Sequence, residues 1–163
     1  MLSKNYITAS VLILSSSLAM AMECSTGKDR FTDNQDGTVT DNCTKLIWLK
    51  NADCFDKQTW TDAADKVSQL ATGQCGLTDG STANDWRLPS VKELQSLIDF
   101  SQYKPMLPKG YPFTNVQTNN YYWSSTEDAK ESSHRWRVNI GNGSLFTNII
   151  CHPHYVWPVR NNK

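Results

Sequence analysis

The sequence predicts an α+β domain in which two helices pack on antiparallel sheet and long loops join the elements. Three observations carry this expectation. Two stretches in the middle of the chain place apolar residues at helical spacing behind good N-cap residues. Short β-branched and aromatic runs separated by Asp-Gly and Gly-Asn-Gly turns lie at both ends. A proline-rich stretch with little periodicity divides the helices from the last strands. The 163 residues suit one domain with a real core and are too few for two.

The chain begins MLSKNYITASVLILSSSLAMAMEC: one Lys4, an apolar stretch around Val11 to Leu14, and the triplet Ala19-Met20-Ala21. This is the pattern of a secretory signal with an A-x-A cleavage site, so residues 1–21 are expected to be a signal peptide and residues 22–163 the domain. The apolar stretch is too short and too rich in serine to remain as a membrane span. Glu23, where a small residue should precede a lipidated Cys24, argues against a lipoprotein. An exported chain is expected to be secreted or periplasmic. Without the signal, 15 basic side chains face 16 acidic ones, about −1 in all, and this balance excludes an electrostatic case for nucleic acid.

Export makes the five cysteines, Cys24, Cys43, Cys54, Cys75 and Cys151, disulfide candidates first. No C-x-x-C occurs, which leaves a zinc site or a thioredoxin-like centre with little support. An odd number leaves at least one thiol free or paired with another molecule.

In RFTDNQDGTVTDNCTKLIWLK, Asp36-Gly37 marks a turn, and Thr38 to Thr40 and Leu46 to Leu49 suit short strands. Asn34, Asp36 and Gly37 echo a calcium-binding EF-hand loop, but that register puts Thr32 at the first ligand and Cys43 where the bidentate Glu belongs. The turn reading is preferred. In TWTDAADKVSQLATGQCG, Thr61 is the expected N-cap, Asp62 and Asp65 sit near the positive end, Ala64, Val67, Leu70 and Ala71 form the apolar stripe, and Gly73 closes the helix. Cys54 and Cys75 flank this helix, and a bond between them would pin both ends. The partners of Cys24, Cys43 and Cys151 stay open; a Cys43–Cys151 link would join the first hairpin to the last strand region.

In NDWRLPSVKELQSLIDFS, Ser90 and Glu93 form a capping box, so a second helix should start at Val91, with Val91, Leu94, Leu97 and Ile98 as its apolar stripe. Glu93 is therefore expected to be a cap rather than a catalytic acid. Arg87, between Trp86 and Leu88, is expected to be a buried cation bonded to backbone carbonyls. KPMLPKGYPF reads as a long loop. YYWSST, HRWRVNIGNGSLFTNII and YVWPVR then read as strands, with Trp136, Val138 and Ile140 on a buried face, a hairpin turn at Gly141-Asn142-Gly143, and Pro158 marking an edge strand or bulge.

RFTDNQDGTVTDNCTKLIWLKNADCF, GQCGLTDGSTANDWRLPSVKELQSLIDFS, PFTNVQTNNYYWSST and VNIGNGSL followed by YVWPVR, in this order, closely resemble the C-terminal domain family of the Legionella collagen-like protein, over Arg30 to Arg160. The resemblance implies a C-type-lectin-like fold related to the formylglycine-generating enzymes, whose RLPT pattern is similar to Arg87-Leu88-Pro89-Ser90 here. Those enzymes use a late pair of cysteines, whereas this chain has only Cys151 after Cys75, so the catalytic role does not carry over. The Trp-Asn-Asp motif of calcium-dependent lectins is not matched either, because Asn84-Asp85-Trp86 has another order. Adhesion to a sulfated polysaccharide is what the resemblance suggests, although no collagen stalk is present in this sequence.

The remaining chemistry lies late in the chain. Trp48, Trp123, Trp136 and Trp157 sit in apolar strand patterns and are expected in the core, while Tyr121, Tyr122 and Tyr155 are expected to present rings outward. Glu127, Asp128, Lys130, Glu131 and Arg135 surround such rings in the loop TEDAKESSHRWR. Flat rings beside charged and amide groups suit a carbohydrate, and loops carried on a sheet are where binding residues concentrate. The reading is an exported, non-catalytic binding module for a polysaccharide or a cell-surface protein, acting through Thr126 to Arg137 and Asn142 to Tyr155, with Glu127, Asp128, Arg135, Arg137, Asn142, His154 and Tyr155 as ligand-binding residues. No cofactor and no metal site are implied, and oligomers through an unpaired cysteine are foreseen. The alternatives are a metal-dependent hydrolase centred on His134, His152, His154 and a nearby acid, or a structural component of an envelope complex.

Overall fold

The computed structural model describes residues 30–162; the expected signal peptide and Cys24 lie outside them. Among the described residues the order is β1 (Phe31–Asp33), β2 (Thr38–Asp41), β3 (Leu46–Leu49), α1 (Trp60–Ser68), α2 (Val91–Ser96), β4 (Tyr122–Glu127), β5 (His134–Val138), β6 (Leu145–Ile149) and β7 (Val159–Asn161). The strands form two antiparallel sheets, one ordered β1-β2-β3-β7 and the other β4-β5-β6. This is the small α+β domain expected, with one rearrangement: the last run leaves its neighbours in sequence and closes the first sheet beside β3, pairing Trp48 with Val159.

Each local signal has a physical counterpart. In the first hairpin Asp36 Oδ1 accepts from the Thr38 backbone amide and hydroxyl, and Gly37 adopts φ +86°. A Cβ at Gly37 would stand 2.3 Å from the Gly76 carbonyl oxygen, so only glycine lets the turn meet the segment after Cys75. Helix α1 begins at Trp60 with Thr59, not Thr61, as its N-cap, because the Thr59 hydroxyl is the one placed to accept from Asp62 N. It ends at Ser68 with Gln69 as C-cap, ahead of Gly73, and buries Ala63 and Val67, with Ala64 only half-buried. Helix α2 has the expected capping box between Ser90 and Glu93 and packs against β4 and β5.

Glu93 does a second job. Its carboxylate takes two hydrogen bonds from Arg87, at 2.8 and 2.7 Å. Arg87 is therefore not a buried cation bonded chiefly to carbonyls: its side chain is solvent-facing, its guanidinium also reaches Asn161, and its main chain bridges Val159. Burial opposes ionisation of Glu93, but Arg87 and the Ser90 amide together hold its carboxyl below the usual value.

Both sheets meet on Trp157. Its ring lies 5.6 Å from Trp48 of β3, 5.3 Å from Tyr122 of β4 and 4.8 Å from Phe113 of the proline-containing loop. Its indole N–H donates to Leu49 O at 2.8 Å. Trp48, Trp86, Trp123 and Trp157 are all core residues; Trp136 is only half-buried, and Tyr122, expected to face outward, is wholly buried with its hydroxyl bonded to Gln117 N. The proline-containing loop is itself packed, since Met106, Leu107 and Phe113 are buried and Met106 N bonds Ile140 O. Pro158 precedes β7 at the sheet margin, as an N–H-less residue must.

Cys54 and Cys75 are joined, closing a loop of sequence separation 21 around α1. Cys151 is free and exposed, and Cys43 is itself disulfide-bonded, so the Cys43–Cys151 link does not form. The reason is topological: Cys43 lies in the β2–β3 turn of one sheet and Cys151 in the turn after β6 of the other. No described helix is long and apolar enough to cross a membrane.

Two measurements check this architecture. Replacing both Cys54 and Cys75 by Ala lowers the unfolding free energy by about 3 kcal/mol, the loop-closure value, in denaturant titration. Asp41 and Arg30 form a buried pair at 2.9 Å, and Arg30 also donates to Ser96 O below α2. Asp41→Ala strands that guanidinium and is expected to cost roughly 3 to 5 kcal/mol in the same assay, against a neutral surface substitution as control.

Candidate functional site

The three-stranded sheet carries the site, and its geometry follows from the β5–β6 hairpin. The turn is tight because Asn139 Oδ1 accepts from Gly141 N and Asn142 N, and a Cβ at Gly141 would stand 2.1 Å from Thr118 O. The register then sets Arg137 opposite Phe146 and Arg135 opposite Asn148. Alternate residues of a strand share a face, so these four side chains emerge together.

Arg137 is the centre. Its guanidinium lies 4.0 Å over the Tyr121 ring, and its Nη1 stands 3.1 Å from His154 Nε2. Its Nε is buried without a hydrogen-bond partner, and among the described residues no carboxylate pairs with it. Burial pulls the basicity of this guanidinium below its ordinary value. The neighbouring Tyr121 ring meets Phe146 edge-on at 6.2 Å, and Phe146 is 55% exposed. The result is a cation without a counter-ion beside two aromatic rings and the Asn148 amide.

His154 is the buried support of this group. It is only 6% exposed, packed edge-on against Trp123 at 4.7 Å. Nε2 faces two donors, Arg137 Nη1 and Asn148 Nδ2 at 2.8 Å, and Nδ1 faces Asn120 Oδ1 at 3.1 Å. One arrangement satisfies all three: a neutral ring with its proton on Nδ1, donating to Asn120 and accepting at Nε2. Burial first, then the charges of Arg137, His152 and Lys57, push the imidazole down to about 4.

Of the residues expected in the site, Arg137 and His154 are brought together, and Asn142 joins them indirectly, its Oδ1 accepting from the Ser144 hydroxyl, which also bonds Tyr121. Glu127 and Arg135 form a separate pair at 3.4 Å, with Arg135 stacked 4.5 Å over Trp60. Asp128 accepts from Lys130 N within its own turn. Tyr155 packs on Tyr122, with the Lys57 ammonium 5.2 Å over its ring. The sequence reading missed Asn120, Phe146 and Asn148. Counting outward from Gly141 to Gly143 would have set Phe146 opposite Val138 and Asn148 opposite Trp136; only the closure of the turn on Asn139 and Ser144 shifts the register by one and brings Phe146 and Asn148 beside the two arginines.

The three histidines do not converge. His134 pairs with Glu131 at 2.9 Å, His152 is exposed and faces Asn148 Oδ1, and His154 faces Arg137. Among the described residues no group of three or more His, Cys, Asp or Glu side chains is placed to hold a metal ion.

The His154 environment has a measurable consequence. The folded protein binds the His154 proton only near pH 4, whereas the unfolded chain takes it up near 6.5. The stabilisation is thus complete above about pH 6.5 and lost as the pH falls toward about 4. At about 1.4 kcal/mol per unit the full loss is on the order of 3 kcal/mol, reduced where solvent screens the ring. Denaturant unfolding across this range should show the loss in the wild type and a shallower one in His154→Gln.

Among curated proteins none matches the chain. The model of the Lcl C-terminal domain matches residues 37–160, from the first hairpin turn to β7, and so spans both sheets and the Arg137–His154 group. With most of its length covered by that match, the chain belongs to the Lcl C-terminal domain family.

Proposed function

We propose that this protein is an exported, non-catalytic binding module, and that the outer face of β4–β6 recognises a carbohydrate bearing an anionic group such as a sulfate ester. One observation carries the reading: Arg137 presents a guanidinium with no carboxylate partner among the described residues, over the Tyr121 ring and across the strand pair from the exposed Phe146. A guanidinium offers paired donors suited to a sulfate or carboxylate. Aromatic rings beside it suit the apolar face of a sugar, and Asn148 and Asn142 supply amides for hydroxyl groups. The C-type-lectin-like relationship implied by the family resemblance agrees with a role in which loops on a sheet do the binding. Secretion or delivery to the periplasm is part of the proposal, supported by the pattern of the first 21 residues and by the disulfides.

The hydrolase alternative draws less support: among the described residues His154 meets no hydroxyl and no carboxylate, and Ser133 Oγ and Glu131 Oε2 both face the same nitrogen, Nδ1, of His134, so that ring cannot relay a proton from one to the other. A protein surface with an acidic side chain would use the same cation, and the ligand panel separates the two.

The test is binding of the folded, oxidised protein to immobilised dextran sulfate, unsulfated dextran and an acidic protein at physiological salt. Dextran sulfate should bind, unsulfated dextran should not, and Arg137→Ala should weaken binding at least about tenfold, as expected for a charge-assisted hydrogen bond. Arg137→Lys should recover only part, since an ammonium lacks the planar fork. Equal binding of wild type and Arg137→Ala would refute the site.

A further inference from the structure

His154 faces no substrate-accessible surface of its own, yet it is the one group that Arg137, Asn148 and Asn120 share. We infer that His154 is a positioning residue: as a neutral, Nδ1-protonated acceptor it holds Arg137 and Asn148 in their binding arrangement, and the recognition face is operative only while that acceptor is unprotonated. This rests on the function proposed above and goes beyond it by assigning the residue that orders the site and the condition under which it works.

The geometry supplies the argument. The attraction of a guanidinium to the Tyr121 ring below it is weakly directional; the hydrogen bond to the acceptor at Nε2 is directional and sets its position. The same lone pair orients the Asn148 amide, whose Oδ1 in turn takes a hydrogen bond from Ile149 N. Nδ1 is committed to Asn120 Oδ1, so the tautomer cannot switch without losing that bond. The ring is locked from its own segment as well, where His154 N and O exchange hydrogen bonds with Gln58.

Protonating Nε2 would replace the acceptor by a donor aimed at two donors. The groups that bear on it are Arg137 from β5, His152 from its own segment, Lys57 from the segment before α1, and Tyr121 from the approach to β4. Among the described residues no carboxylate faces the ring, and the Arg137 and Lys57 cations oppose its protonation. The acceptor therefore persists across neutral and mildly acidic conditions, and the burial described above extends that range down to about pH 4.

This predicts a pH profile opposite to that of an ordinary basic surface, which binds a polyanion more tightly as its own carboxylates are neutralised. Dextran sulfate keeps its charge throughout. Wild-type affinity for it should be level from neutral pH down to about pH 5, and fall about twofold at the His154 midpoint because only the competent fraction binds. His154→Gln, which keeps an amide oxygen as acceptor and does not titrate, should bind within about threefold of wild type and lack the acid decline. His154→Phe, which keeps a ring without an acceptor, should lose about tenfold. Parallel acid profiles for wild type and His154→Gln, or wild-type affinity in His154→Phe, would overturn the inference.

Nitrogen-detected NMR of the wild-type protein decides the same question without a ligand and without any variant. The inference expects the Nδ1–H tautomer and Arg137 Nε and Nη signals that shift with the His154 titration. An Nε2–H tautomer, or Arg137 signals indifferent to that titration, would refute it. If dextran sulfate fails to bind at any pH, the proposed function fails for that ligand class while the NMR result still decides the role of His154. A failure of His154→Phe to fold leaves His154→Gln and the wild-type spectra to decide.

Discussion

The segment from His154 to Val159 holds the two sheets together, and Trp157 is its pivot. On one side Tyr155 exchanges backbone hydrogen bonds with Tyr121 and Trp123, extending the three-stranded sheet. On the other, Pro158 O accepts from Leu49 N and Val159 pairs with Trp48 in the four-stranded sheet. Between them the Trp157 ring fills the space shared by Trp48, Tyr122 and Phe113, and its N–H is satisfied by Leu49 O. A side chain of this size buries on the order of 200 Å², and here it does so where neither sheet alone has a complete core. The two helices and the long loop can then cover sheets whose relative placement is already set.

The proposed binding face inherits that constraint. His154 is three residues before Trp157, and its main chain is tied to Gln58, so the imidazole cannot move without disturbing the joint between sheets. Arg137, by contrast, comes from β5 and Asn148 from β6. The site is therefore built where a locally determined hairpin meets a segment delivered from the far end of the chain. A half-buried guanidinium without a carboxylate costs stability, since desolvation is only partly offset by the Tyr121 ring and a neutral imidazole. That uncompensated cost is what supports the proposal of a counter-ion supplied by a ligand. The Glu127–Arg135 pair nearby shows the contrast, being already neutralised and stacked on Trp60.

Family membership and site geometry bear on different questions. The match from residue 37 to residue 160 establishes what kind of domain this is. It does not by itself assign a ligand, and the argument for one comes from Arg137 and its surroundings. The free Cys151 lies in the turn between β6 and His154, so any intermolecular bond through it would bring another molecule up to the edge of this face.

What could be read in the sequence is what short-range chemistry controls. The Ser90–Glu93 capping box, the Asp36-Gly37 and Gly141–Gly143 turns and the strands around them each depend on hydrogen bonds or dihedral angles within a few residues, and all appear where expected. The Cys54–Cys75 link was legible because the two cysteines flank α1 in a chain that begins with the pattern of an export signal. The α1 cap was misplaced by two residues because Thr59 and Thr61 are equivalent as side chains, and the Trp60 N to Ile150 O bond helps select between them. Whether Tyr122 points in or out, whether Arg87 finds carbonyls or Glu93, and where Cys151 lies relative to Cys43 depend on contacts between residues far apart in the chain. So do the return of β7 to the first sheet and the meeting of His154 with Arg137. Local preference is silent on these, because a strand's pattern states which face is buried but not against what. Residues close in sequence were enough for the elements, their turns and one disulfide; contacts between distant segments settle which strand closes which sheet, and hence that Arg137 stands beside a neutral histidine with no carboxylate paired to it among the described residues.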